Sequence, residues 1–228
     1  MSEEVRLTPN QKYPQRVGKV TSSEIKTVLS GWKDAEYYAA SNKEKAGQIK
    51  TPAGWQKGAV SYAKRLALNI LGYDPENKET FATRWGHEWE PVNRNEYAES
   101  LGVEIGGEAF FPDLTTPGTG STPDGLFKQG NKLCVFESKC QQEAAHLDCL
   151  EAPDEDHVLQ CQHQMMCTGA EEAHLVYFHP EMPLNTTAHQ KAWIIKRNED
   201  IINEMKVKIA MFLPLVEKWR KIYAGEGE

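Results

Sequence analysis

A carboxylate at Asp124, a second at Glu137 and an ammonium at Lys139 fall within sixteen residues of one another. Phosphodiester hydrolysis asks for such a set. Carboxylates hold a hard divalent cation, the cation polarises phosphate and acidifies water, and a further positive charge faces the developing negative charge. Side chains alternate along a strand, so Leu133, Val135, Glu137 and Lys139 share one face that passes from apolar to charged at its end. Asp124 lies on the expected partner strand, and the turn Lys128-Gln-Gly-Asn131 returns Glu137 to its neighbourhood. Two hard oxygens, with the Ser138 backbone carbonyl as a further donor, suit Mg²⁺ or Mn²⁺ better than a soft metal. Taken alone, the same pattern also describes a salt-bridged surface face, since acidic and basic residues are common.

Positioning these groups requires a hairpin and a frame around it. Gly125-Leu-Phe and Lys132 to Lys139 predict the hairpin, Val103 to Phe111 is strand-like, and 112–123 is rich in Gly, Pro, Ser and Thr. Further strands are expected at Ala173–Phe178 and Lys191–Arg197. Helical spacing of apolar residues predicts helices over Thr51–Leu71, Thr80–Leu101 and Val158–Gly169. Pro91 implies a kink or restart near Glu90, and the C-terminal helical segment 198–223 carries a break at Pro214. Thr21 and Glu24 have capping-box spacing for a helix running to about Gly31. Residues 1–20, with Pro9 and Pro14 and no period, read as an extended entry segment. Helices, a hairpin, then helix and strands predict an α/β fold with a mixed central β-sheet flanked by helices.

The 228 residues suffice for one domain with a buried core and are few for two, so 1–228 is expected to be a single domain. A net charge of −7 speaks against a protein that coats nucleic acid over its whole surface, while leaving room for a local basic channel. No apolar run reaches the ~18 residues that cross a bilayer, and the first residues lack the apolar core of a signal peptide, so the cytoplasm is the expected location. The five cysteines, all between Cys134 and Cys167, fit reduced thiols better than a disulfide framework. A zinc or iron-sulfur site combining them with His146, His157 or His163 matches no common ligand spacing.

Four blocks surround the charged hairpin in a definite order: Arg16-Val-Gly-Lys-Val-Thr-Ser-Ser23, Arg84-Trp-Gly-His-Glu-Trp-Glu90-Pro91, Gly120-Ser-Thr-Pro-Asp-Gly125, and His157-Val-Leu-Gln-Cys-Gln-His-Gln-Met-Met-Cys-Thr-Gly169. With Glu137-Ser-Lys139 they closely resemble the bacteriophage lambda exonuclease family, including YqaJ-type viral recombinases, of the restriction-endonuclease-like superfamily. The resemblance runs from Arg16 to about Arg197. It implies a restriction-endonuclease-like core, with Asp124, Glu137 and the Ser138 carbonyl on metal and Glu90 supporting them. Lys139 would orient the attacking water or stabilise the transition state, helped by Gln162 of the Gln160-Cys161-Gln162 block. Gln160 and Gln162 cannot face the same way on a helix, so only one should enter the site. Arg16, Ser23 and the hydroxyl of Thr122, where the family usually has Ser, would grip a terminal 5′ phosphate.

The activity so implied is a Mg²⁺-dependent 5′-to-3′ exonuclease, with Mn²⁺ able to substitute, that degrades one strand of linear duplex DNA and leaves 3′ single strands for phage-type recombination. The resemblance further implies a ring-shaped homotrimer, a single-strand annealing protein as partner, and work in the host bacterial cytoplasm. A site- or structure-specific endonuclease of the same superfamily is the nearest alternative, but it needs a groove-reading element that the sequence does not display. A noncatalytic DNA-end binding module would be marked by a broken Asp, Glu or Lys, and all three are present.

Overall fold

Thr8 caps the first described helix. The computed structural model describes residues 8–42, 44–75 and 80–226, so positions 1–7 of the expected entry segment lie outside the described residues. Thr8 and Gln11 form a capping box around α1 (Pro9–Lys12), and a 3-10 turn at Pro14–Arg16 follows, so this stretch is wound rather than extended. Each turn begins with a proline, whose fixed φ suits a first helical position. The capping box expected at Thr21 does not form: its side chain makes no cap bond, and its amide donates to the Tyr62 hydroxyl instead. A 3-10 turn at Ser22–Glu24 then leads into α2 (Ile25–Leu29).

Next come two small antiparallel pairs, in which β1 (Trp32–Lys33) meets β4 (Gly54–Trp55) and β2 (Glu36–Tyr37) meets β3 (Ile49–Thr51). Because this pairing claims Thr51 and Trp55, α3 (Lys57–Ile70) starts later than the periodicity suggested. The Thr80-capped helix α4 (Phe81–Leu101) runs through Pro91 without a restart. Between Val103 and Phe111 the expected strand is reduced to β5 (Phe111–Pro112), paired with β6 (Gly120–Ser121). Gly106 and Gly107 interrupt the stretch, and Gly106 donates to the Leu126 carbonyl at 2.8 Å.

The central sheet takes β7 (Gly125–Gln129), β8 (Lys132–Cys140), β9 (Glu172–Phe178) and β10 (Gln190–Lys196) in the order β10-β9-β8-β7. β8 is antiparallel to β7 and parallel to β9, and β9 is antiparallel to β10, so the sheet is mixed as expected. Gly130, at φ +63°, and Asn131 close the β7–β8 hairpin in two residues. A parallel pair needs a long crossover, supplied here by α5 (Glu143–Glu151) and α6 (Glu155–Thr168).

Val135, Leu175 and Tyr177 pack against Cys161 and Met165 of α6 on one face of the sheet, while Cys134, Phe136 and Val176 pack with Tyr97 of α4 on the other. A third core joins α2, α3 and α7 (Glu199–Ala224). Along α7 the residues Ile202, Met205, Ile209, Phe212 and Val216 form one buried stripe, and the helix continues through Pro214 where a break was expected. Burying five large side chains outweighs the ~3 kcal/mol that an interior proline costs. Gly125 is required next to Asp124, because a Cβ there would lie 2.6 Å from the Gly106 carbonyl oxygen.

His163 on α6 ties this frame to the entry segment. Thr119 Oγ1 donates its proton to the Val20 carbonyl, so it accepts from His163 Nε2 at 2.8 Å, and Nδ1 accepts from Ser22 Oγ at 2.8 Å. Burial pushes this imidazole down to about 4. The unfolded chain, with a histidine near 6.5, therefore takes up the proton first as pH falls. Stability is complete above pH 6.5 and declines between there and pH 4, by about 3 kcal/mol for a displacement of that size. Urea unfolding at pH 7.5 and 4.5 should show this loss in the wild type and a smaller one in His163→Gln.

Candidate active site

Strand alternation sends Glu137 and Lys139 to the α6 side of β8, where they meet a row of glutamines. Lys139 Nζ stands 2.7 Å from Glu137 Oε1 and 3.0 Å from Gln160 Oε1. Gln160 Nε2 also donates to Glu137 Oε1, and Gln164 Nε2 donates to Glu137 Oε2. Glu137 is only 2% exposed, so these donors replace its lost hydration. Gln160 and Gln164 are one turn apart and therefore share a helix face. Gln164 was not anticipated, although its spacing from Gln160 carried the signal.

Gln162 is a correction. It was expected beside Lys139, but it donates to the Lys196 carbonyl at 2.7 Å and accepts from the Asn198 amide at 2.9 Å. Two positions on a helix differ by about 200° in direction, so with Gln160 turned to Lys139, Gln162 must face elsewhere. It pins the junction of β10 and α7.

Asp124, half-buried just ahead of β7, accepts the Ser138 amide on Oδ2 at 2.7 Å. Ser138 thus meets Asp124 through its N–H, and its hydroxyl accepts from Asn93 Nδ2 at 2.7 Å. Asn93 is fully buried, donates to the Val176 carbonyl at 3.2 Å and accepts from Gln190 on Oδ1 at 2.8 Å, so it anchors α4 across three strands. Arg94 Nη1 donates to the Asp124 carbonyl at 3.2 Å and lies 3.7 Å from Glu90 Oε1. Glu90 is thereby brought beside the hairpin. Neither Asn93 nor Arg94 was expected, though Arg94 follows Glu90 by one helical turn.

Electrostatics mark this as a place that needs a cation. Burial, then the Glu137 and Glu90 carboxylates, push Asp124 well above the usual carboxylate range against the pull of Lys139. Burial and the carboxylates of Glu108 and Glu137 likewise raise Glu90, opposed by Arg94. For Lys139, burial works against the charge, but Glu137 and Asp124 outweigh it and leave the ammonium above its ordinary value. Glu137 and Asp124 bear on Lys139, and Glu90 bears on Asp124; oxygen donors of this kind suit a hard divalent ion.

A cleft of about 310 Å³ is lined by Arg16, Lys19, Ser23 and Arg65, with Glu24 and Asp74 among its other residues. Arg16 Nη1 donates to Thr122 Oγ1 at 3.2 Å, which links the cleft to the turn that carries Asp124. Arg16 and Ser23 are therefore brought together in one cleft, with Thr122 reached through Arg16. Lys19 and Arg65 add positive charge that the sequence reading did not assign, and Arg65 is ion-paired with Glu24. Several cations of the C-terminal part are engaged within the chain: Lys196 with Glu172, Arg197 with Glu199, and Arg220 with Glu217 and Glu226.

The model of the YqaJ-like viral recombinase domain matches residues 13–171. No curated protein matches the chain in sequence. Among solved structures, the chain is similar to an alkaline exonuclease from Laribacter hongkongensis, with 24% identity, a TM-score of 0.72 and coverage of 94% of this chain and 95% of that one. The structure titled as the complex of that exonuclease with dAMP gives 24% identity, a TM-score of 0.73 and coverage of 94% and 97%. A phage related exonuclease from Haemophilus somnus 129PT is similar at 15% identity, with a TM-score of 0.60 and coverage of 91% and 96%. At these identities the structural likeness shows the fold.

Proposed function

The chain belongs to the family of YqaJ-like viral recombinase domains, and from that premise we propose that it is a divalent-metal-dependent 5′-to-3′ exonuclease acting on linear duplex DNA. The observation that carries this reading is the convergence of Asp124, Glu137 and Lys139, with Gln160 and Gln164 fixing Glu137, beside a cleft that contains Arg16. Asp124, Glu137 and Glu90, with the Ser138 carbonyl, would hold Mg²⁺, and Mn²⁺ would serve in its place. Such an ion supplies Lewis acidity to the phosphate and lowers the pKa of water.

The protein's own groups do the rest. Lys139 keeps its proton and offers positive charge where negative charge grows on the phosphate oxygens. Gln160 holds that ammonium in place, and Gln164 orients Glu137. Arg16, with the hydroxyls of Ser23 and Thr122, would grip a terminal 5′ phosphate, since a guanidinium can bind phosphate through two parallel hydrogen bonds. Cutting one nucleotide inward from an anchored end releases mononucleotides and leaves a 3′ single strand. The solved complex of a similar exonuclease with dAMP is in keeping with a mononucleotide product. By its family, the protein would work beside a single-strand annealing protein in the cytoplasm of a phage-infected host, as a closed ring of three copies around DNA. One 1–228 domain would then serve as each copy. A protein that remains monomeric at working concentration would sink the ring.

The deciding experiment supplies Mg²⁺ and linear duplex with 5′-phosphate ends, matched 5′-hydroxyl ends or no ends, and follows mononucleotide release. Release from phosphorylated ends with circles spared is expected, and Arg16→Ala should lower the phosphate-over-hydroxyl preference about 10- to 100-fold, the loss of one or two charge-assisted hydrogen bonds. Nicking of circles would instead make the protein an endonuclease, and an unchanged preference in Arg16→Ala would remove Arg16 from the end-binding role.

A further inference from the structure

On the sheet face turned away from Glu137 and Lys139, three side chains of different chemistry converge without any part in the hydrolytic site. Cys134 of β8 and Glu172 of β9 are partners in the parallel register, and His174 follows Glu172 by two, so strand alternation points all three the same way. All are buried, with Cys134 at 0%, His174 at 2% and Glu172 at 4% exposed. Their ligating atoms lie within 4.8 Å of one another.

We propose that Cys134, Glu172 and His174 form a second metal site, one that takes Zn²⁺ or a metal of similar softness. Glu172 divides its two oxygens. Oε2 accepts from Lys132 and Lys196, whereas Oε1 stands 3.8 Å from Cys134 Sγ and 3.8 Å from His174 Nε2. Ligand atoms around a tetrahedral zinc sit roughly 3.3–3.7 Å apart, as bond lengths of about 2.0–2.3 Å dictate. Two sides of the triangle, both at 3.8 Å, are thus close to coordination spacing, and the third atom pair lies within 4.8 Å.

His174 supplies an independent sign. Its Nε2 is buried and has no hydrogen-bond partner among the described residues, and it is the nitrogen directed at Glu172 and Cys134. Its Nδ1 is 2.7 Å from the Tyr97 hydroxyl, which can accept from an Nδ1–H; in that tautomer Nε2 keeps its lone pair for a metal, as in a ligating imidazole with an outer contact. The Lys132 carbonyl oxygen, 3.8 Å from Cys134 Sγ, offers a fourth donor. A thiolate and an imidazole select a soft or borderline metal, which separates this site from the all-oxygen set at Asp124. On binding, the Cys134 thiol proton leaves to water as the metal–sulfur bond forms, with no change of oxidation state. The ion would clasp the start of β8 to the start of β9, at the end of the sheet opposite Lys139.

The test uses the full chain, stripped with chelator and titrated with Co²⁺, which reports a thiolate ligand by an intense near-ultraviolet charge-transfer band. One equivalent should generate the band, Zn²⁺ should abolish it and raise the melting temperature, and Cys134→Ser and His174→Gln should each lose it. Asp124→Asn, which removes a hard ligand only, should keep it. Absence of the band in the wild-type protein, or its survival in Cys134→Ser, overturns the site, and both readings stand even where His174→Gln folds poorly.

Discussion

Lys139→Met should yield a folded protein whose rate of mononucleotide release is lower by about 10³-fold or more, the scale for deleting a positioned charge from a hydrolytic transition state. Methionine matches the length and apolar stem of lysine, so packing at this 17% exposed side chain is preserved while the ammonium is lost. Single-turnover cleavage with saturating DNA isolates the chemical step. Affinity for DNA ends should change little, because Arg16 and its neighbours stand in a different cleft. A variant that retains more than about a tenth of wild-type rate would show that Lys139 is only the buried counterion of Glu137 and Asp124. Gln160→Ala supplies the graded comparison: it removes one acceptor from Lys139 and one donor from Glu137, and a smaller loss is expected.

Asp124→Asn separates metal binding from folding. Burial and the carboxylates of Glu137 and Glu90 raise the Asp124 carboxyl, so the folded state holds that proton more tightly than the unfolded chain does. Without metal, stability is therefore present at low pH and is lost as pH rises from the unfolded value near 3.8 through the raised folded value. Asparagine carries no charge and can still accept the Ser138 amide, so the metal-free variant should melt at or above the wild-type temperature at pH 7.5. Mg²⁺ or Mn²⁺ should raise the melting temperature of the wild type and leave Asp124→Asn unmoved, with nuclease activity down by about 10³-fold or more. Equal stabilisation of both proteins by divalent ion would place the hard metal elsewhere. Thermal melts with and without metal, run beside the cleavage assay, make both comparisons.

Much of this arrangement could be read in advance because it is local. The hairpin followed from turn residues between two apolar runs, and the shared face of Glu137 and Lys139 from a period of two. Other expectations failed where a local rule met a stronger distant one. Pro214 was read as a break and Pro91 as a kink or restart, yet α7 runs through Pro214 and α4 continues past Pro91 with no restart. The Thr21–Glu24 spacing suggested a cap, but Tyr62, forty-one residues away, takes the Thr21 amide.

The sequence by itself determined which groups are available and in what order. Asp124, Glu137 and Lys139 are set by covalent spacing and strand alternation, and the blocks around them identify the family. Tertiary structure alone decided which neighbours those groups have. The rotation of α6 about its axis chooses Gln160 and Gln164 over Gln162, the packing of α4 brings Asn93 to Ser138, and the parallel register of β8 and β9 sets Cys134 beside Glu172. The physical reason is the range of the forces involved. Backbone geometry imposes its periods over a few residues, whereas helix rotation and strand register are settled only when apolar surfaces far apart in the chain are buried together.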